Sequence, residues 1–135
     1  MLGFIASAMG KKFLLILAAL AAMPVDVDAL YVIHSLFITS HVELLVRTVI
    51  AKKIPIASGS AKFKQGFTVS YGLDRFEVGQ QVSSIALNVL RGGRPAEIPT
   101  EMAYFHLGIN LKTATASGVT ISNDILSTAN QIVRQ

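Results

Sequence analysis

The chain has 135 residues, 52% of them hydrophobic and 15% charged, which is one domain's worth of material with ample apolar side chains for a core and excludes a disordered polymer. Its 12 Lys and Arg against 8 Asp and Glu give +4, but Lys11, Arg47, Lys62, Arg75, Arg91, Lys112 and Arg134 are scattered, so no basic tract tracks phosphates and no nucleic-acid partner is expected. The absence of cysteine excludes disulfides, thiolate metal sites and thiol catalysis while leaving the compartment open.

At the N-terminus a basic pair, Lys11-Lys12, precedes the apolar run Phe13 to Ala22, with small residues before Pro24. That order suits a secretory signal, and the run is too short to span a bilayer. It equally suits a buried helix that feeds the next strand. Residues 1–23 are therefore expected to be an apolar N-terminal segment, either signal-like or a lead-in helix.

From residue 24 onward the pattern is continuous α/β. Asp28 to Ile33 is a short apolar run entered from an acidic edge, as in a parallel strand covered on both faces. Ser40-x-x-Glu43 has the form of a capping box, and Val42, Leu45, Val46, Val49 and Ile50 then follow one helical face to Lys52-Lys53. Ile54 to Ala57 is a second strand, which completes a βαβ unit.

Lys62 to Gly66 reads as a short turn or helix, and Phe67 to Tyr71 as a strand ended by Gly72. Asp74, with Glu77 three residues on, predicts a capped helix through Arg91 with an apolar stripe of Val78, Val82, Ile85, Ala86 and Val89. Gly92-Gly93 supplies a left-handed stop, and Pro95 and Pro99 forbid continuation. Tyr104 to Ile109 is strand-like, Asn110 caps a brief helix ended by Gly118, and Ser122 is expected to cap a last helix running to Val133.

The blocks DALYV, KIPIAS, YGLD..EVG..V..IALNVLRGGRPAEIP and INLKTATASGVTI, in that order, resemble the C-terminal half of the ABC-transporter solute-binding proteins of the periplasmic-binding-protein type I fold. The resemblance covers roughly Ala18 to Val133. It implies a Rossmann-like parallel sheet with flanking helices, one partial lobe of that fold. Residues 24–135 would form the C-terminal lobe, with the helix 74–91 crossing to an opposing lobe that this chain lacks. It further implies a non-enzymatic, periplasmic receptor that closes on a small polar, amino-acid-like solute and delivers it to an ABC permease, here in truncated form. The apolar stripe of the crossing helix must then fold back, pair with a second copy, or stay exposed.

In open α/β sheets ligands sit beyond the carboxyl ends of the strands. That rule selects His34 and Ser35 after the first strand, Ser58 and Ser60 after the second, and Ser70 and Tyr71 at the crossing, and the family places ligand contacts in these loops. Ser58, Gly59 and Ser60 have the form of a turn whose successive amides attract an anion. An Asp that relatives often carry near His34-Ser35 is absent here.

His34, His41 and His106 lack metal-ligand spacing, and no cofactor is implied. Nor is there a G-x-S-x-G elbow, a P-loop or a G-x-G-x-x-G after a strand, so catalysis is not expected. Two other readings stand beside the receptor: a small α/β interaction or regulatory module that pairs through the Asp74 helix, and a non-functional gene fragment.

Overall fold

The computed structural model describes residues 14–33 and 35–134. Residues 14–21 form helix α1, and the chain then runs β1 (Leu30–Val32), α2 (Leu36–Thr39), α3 (Val42–Lys52), β2 (Ile56–Ser58), a single 3-10 turn (Phe63–Gln65), β3 (Val69–Leu73) and α4 (Arg75–Leu90). A second 3-10 turn (Pro95–Glu97), β4 (Phe105–Asn110), α5 (Leu111–Ala116), α6 (Asn123–Thr128) and β5 (Gln131–Val133) complete it. The strands form one sheet in the order β1-β2-β3-β4-β5, parallel except where β3 meets β4.

The registers define two faces. Leu30, Val32, Ile56, Ser58 and Ser70 share one, and Tyr31, Ala57, Val69, Tyr71, Leu73 and Phe105 share the other. The core lies on the first face, where Ile16 and Leu20 of α1 and Leu45 and Val49 of α3 pack on Val32, Ile56 and Phe67. The opposite face stays open toward β1 and the strand tips, with Tyr31, Tyr71 and Phe105 all exposed.

Local chemistry sets most boundaries as expected. Asp74 accepts from Phe76 N at 2.8 Å, Asn110 from Thr113 N at 3.0 Å, and Ser122 from Ile125 N at 3.5 Å. Gly66, Gly92 and Gly118 all stand at positive φ, where a turn needs a residue without Cβ. Lys53 closes α3 in the same left-handed region at φ 55°, its N–H donating to Ile50 O at 3.1 Å.

Three expectations change. The capping box at Ser40 does not form: α2 ends just before it, so the Ser40 hydroxyl donates to the open Phe37 carbonyl at 2.8 Å. His41 is the N-cap, and Glu43 pairs with Arg47 at 2.7 Å. Gly72 does not end β3, because β4 runs alongside and pairs Gly72 with His106 and Leu73 with Phe105. Gly72 is needed for another reason, since a Cβ there would collide with the Gly59 carbonyl. The last helix stops at Thr128; Ile132 and Val133 leave it to pair with Ile109 and Asn110 as β5.

Helix α4 has no buried residue. Of its stripe, Val82 is 59% exposed and Val89 38%. Glu77 ties it to β4, its carboxylate meeting His106 Nε2 at 2.5 Å, and Gln81 makes longer contacts with Glu101 and the Met102 carbonyl in the segment before β4, each 3.4 Å. Within this chain the stripe does not fold back into the core: Val78 and Ile85 are half-buried and Val82, Ala86 and Val89 are exposed.

Candidate functional site

The carboxyl ends of β1 and β2 lie side by side and level with the first half of β3, because the three strands are parallel and in register at Val32, Ser58 and Ser70. Ser58 and Ser70 share a face and are 4% and 1% exposed, with their hydroxyl oxygens 3.3 Å apart. Neither points outward. Ser58 Oγ donates to Ser60 O at 2.7 Å, and Ser70 Oγ accepts from Lys62 N at 3.1 Å. Both hydroxyls are consumed in shaping the turn from Ser58 to Lys62, as buried polar groups must be.

That bracing leaves exposed Gly59 and half-buried Ser60 as the outward part of the turn. The Tyr31 hydroxyl lies against Gly59: a Cβ built there would be 2.8 Å from it. A narrow cleft opens at the same strand ends, lined by Ile33, Ile38 and Val42 on one side and Ser58, Ser60 and Lys62 on the other. Among the described residues Lys62 is its one charged side chain, and it suits a carboxylate or another anion. The cleft holds about 10 Å³, room for roughly one water, against the roughly 300–1,000 Å³ of pockets that enclose a small ligand.

Tyr71 lies on the other face of the sheet. It is 60% exposed and stacks on Phe105, with ring centroids 5.5 Å apart and planes 28° from parallel. Ser35 is half-buried in the link from β1 to α2, and His34 lies outside the described residues. The structure thus gathers Ser58, Gly59, Ser60 and Ser70 into one turn and sets Tyr71 apart from them. Sequence reasoning missed Lys62 and Phe105. Lys62 stood in view at the end of the Ser58-Gly59-Ser60 turn, whereas Phe105 reaches Tyr71 only through the β3–β4 pairing. Among the described residues no three His, Asp or Glu side chains come together in a metal-binding group, and no helix is long and apolar enough to cross a membrane.

Residues 5–133 match the family of ABC transporter substrate binding proteins. The chain belongs to that family. Uncharacterized protein RP367 of Rickettsia prowazekii (strain Madrid E) is 28% identical over 109 residues, which are 79% of this chain and 34% of that protein. The ABC domain from Streptococcus pneumonia, solved in complex with L-Trp, is 26% identical with a TM-score of 0.69, over 86% of this chain and 40% of that one. CD0873 of Clostridium difficile, a substrate binding protein with adhesive properties solved in a ligand-free, open state, has a TM-score of 0.67 at 16% identity, over 87% of this chain and 40% of its own. A conserved domain protein from Vibrio cholerae shares the fold at a TM-score of 0.66 and 22% identity. The chain therefore spans about a third of its curated relative and 40% of the solved structures that it resembles.

Proposed function

We propose that this chain is part of the solute receptor of an ABC importer, non-enzymatic and periplasmic, and that residues 24–135 form one lobe of a type I binding-protein fold with α4 as the crossing helix. The family match over residues 5–133, joined to a cleft at the carboxyl ends of β1 and β2, carries this reading. The solute is small and polar, amino-acid-like, and meets the lobe at His34, Ser35, Gly59, Ser60 and Tyr71. Ser58 and Ser70 brace the turn from below, and Lys62 faces the solute's carboxylate. The partner that accepts the solute is an ABC permease. Burial of Ile16 and Leu20 in the core supports a lead-in helix at residues 14–21 rather than a segment removed on export.

A cleft that encloses about 10 Å³ supplies one wall. Useful affinity needs most of the ligand's surface buried, which requires a second wall and closure upon it. A thermal-shift screen over amino acids and small carboxylates tests the reading: a longer relative is expected to shift with its solute, and this chain alone to shift weakly or not at all. A strong shift of this chain by a nucleotide or a sugar phosphate would overturn it.

The exposed stripe of α4 favours a second reading, an interaction module that pairs with a second copy through α4. Light scattering separates the two, since Val82→Asp would dissolve such a dimer and leave a monomer unchanged.

A further inference from the structure

Helix α1 carries apolar side chains all round. Ile16 and Leu20 turn into the core, while Leu14, Leu15, Ala18, Ala21 and Ala22 lie on the opposite arc and are exposed, Leu14 at 62% and Leu15 at 66%. From Leu14 to Val25 the sequence has no polar side chain, and the run ends in a link whose Pro24 and Val25 are both exposed, Val25 completely. The core accounts for one side of α1 and leaves the other without a partner among the described residues.

Lysines say what kind of partner fits. Lys52 lines a cleft of about 170 Å³ together with Met23, Pro24, Val25 and Val27, so its side chain stands beside the apolar tip of the link, and exposed Lys53 follows it. Before the helix, the sequence has Lys11-Lys12. Asp26 and Asp28 come later in the same link, so the local charge is mixed, but the lysines outnumber the carboxylates. Protein–protein interfaces are depleted in Lys and Ala and rely on aromatic, Met and Arg anchors. A surface of Leu, Ala and Val bordered by Lys fits an anionic bilayer better: the apolar side chains enter the boundary between headgroups and acyl chains, and the lysines reach back to the phosphates. Residues 14–21 rise about 12 Å as a helix, so α1 lies along such a surface rather than across a hydrocarbon core of roughly 30 Å.

We propose that the outer face of α1 and the link from Met23 to Val25 form an interfacial contact with an anionic lipid bilayer. Leu14, Leu15 and Val25 enter the acyl boundary, and Lys52 and Lys53 hold the headgroups. This contact is independent of the receptor reading and stands whether or not the chain binds a solute.

Flotation of the full chain with vesicles of phosphatidylcholine alone, and of phosphatidylcholine mixed with phosphatidylglycerol, tests the proposal. Binding to the mixed vesicles that weakens at high salt, with little binding to the neutral ones, is the expected result. Lys52→Gln should lower the partition about fivefold, and Lys53→Asn, which keeps a residue tolerant of left-handed backbone, by a similar factor. Leu14→Asp and Leu15→Asp should each lower it about tenfold or more, with circular dichroism unchanged because both side chains are exposed. No binding to either kind of vesicle would overturn the proposal, and so would equal binding to both. Binding indifferent to Leu14 and Leu15 would reduce the contact to electrostatic adsorption and overturn it. Binding lost in a Leu2→Ser, Phe4→Ser, Ile5→Ser variant but kept in Leu14→Asp and Leu15→Asp would place the contact in residues 1–13, against the proposal. Self-association without lipid that Leu15→Asp abolishes would make a second copy the occupant and overturn it too.

Discussion

Asn110 is the side chain that ties most together. Its Oδ1 caps α5 by accepting from Thr113 N at 3.0 Å, and its Nδ2 donates to Phe63 O at 2.8 Å in a buried setting. Asn110→Ala should cost about 1–3 kcal/mol, because it leaves an orphan amide and an orphan carbonyl, and urea unfolding measures it. Asn110→Asp keeps the cap and loses the donor, so it too should destabilise. Gly108 lies under the Phe63 ring where a Cβ would overlap it. Gly108→Ala should therefore cost about 1–3 kcal/mol in the same assay. The cap at Asn110 was legible because it acts three residues away. Its bond to Phe63, 47 residues distant, was not, and neither was the use of the Ser58 and Ser70 hydroxyls inside their turn. Strand-end residues are easy to select by position, but only the packed turn decides which polar atoms are left to meet a ligand.

Among the elements, α3 and α4 show how context divides two similar amphipathic patterns. In α3 the apolar face is in the core, and Leu45→Ala should cost about 2–5 kcal/mol. In α4 the equivalent stripe touches little, so Val82→Asp should change stability by less than about 0.5 kcal/mol, and amide exchange should be faster along α4 than in β2 or β3. Caps, glycine stops and apolar spacing placed α3, α4 and α5 from sequence, because those signals lie within a few residues of the boundaries they set. Strand β5 was read as helix because Ile125, Leu126, Ala129, Ile132 and Val133 keep helical spacing. Pairing of Ile132 with Ile109 is a long-range fact that overrides it. The strand at Gly72 continues for the same kind of reason, since its partner β4 lies more than thirty residues on.

At the scale of the whole molecule, the sheet is covered well on one face, is open on much of the other, and offers its strand tips to solvent with little facing them. The receptor proposed above takes this as one wall of its cleft, and the chain covers 40% of its solved relatives. On the proposed reading solute affinity depends on a second wall, so a weak but localised response of this chain to solute is expected. The most direct measurement is an amide NMR titration of the full chain with L-amino acids. The account predicts saturable shifts confined to the strand tips, at Ile33, Gly59, Ser60, Lys62 and Tyr71, with dissociation constants of about a millimolar or weaker and attenuation in Gly59→Val. Shifts scattered elsewhere, no shifts at saturating solute, or binding as tight as about a micromolar by this chain alone would contradict it.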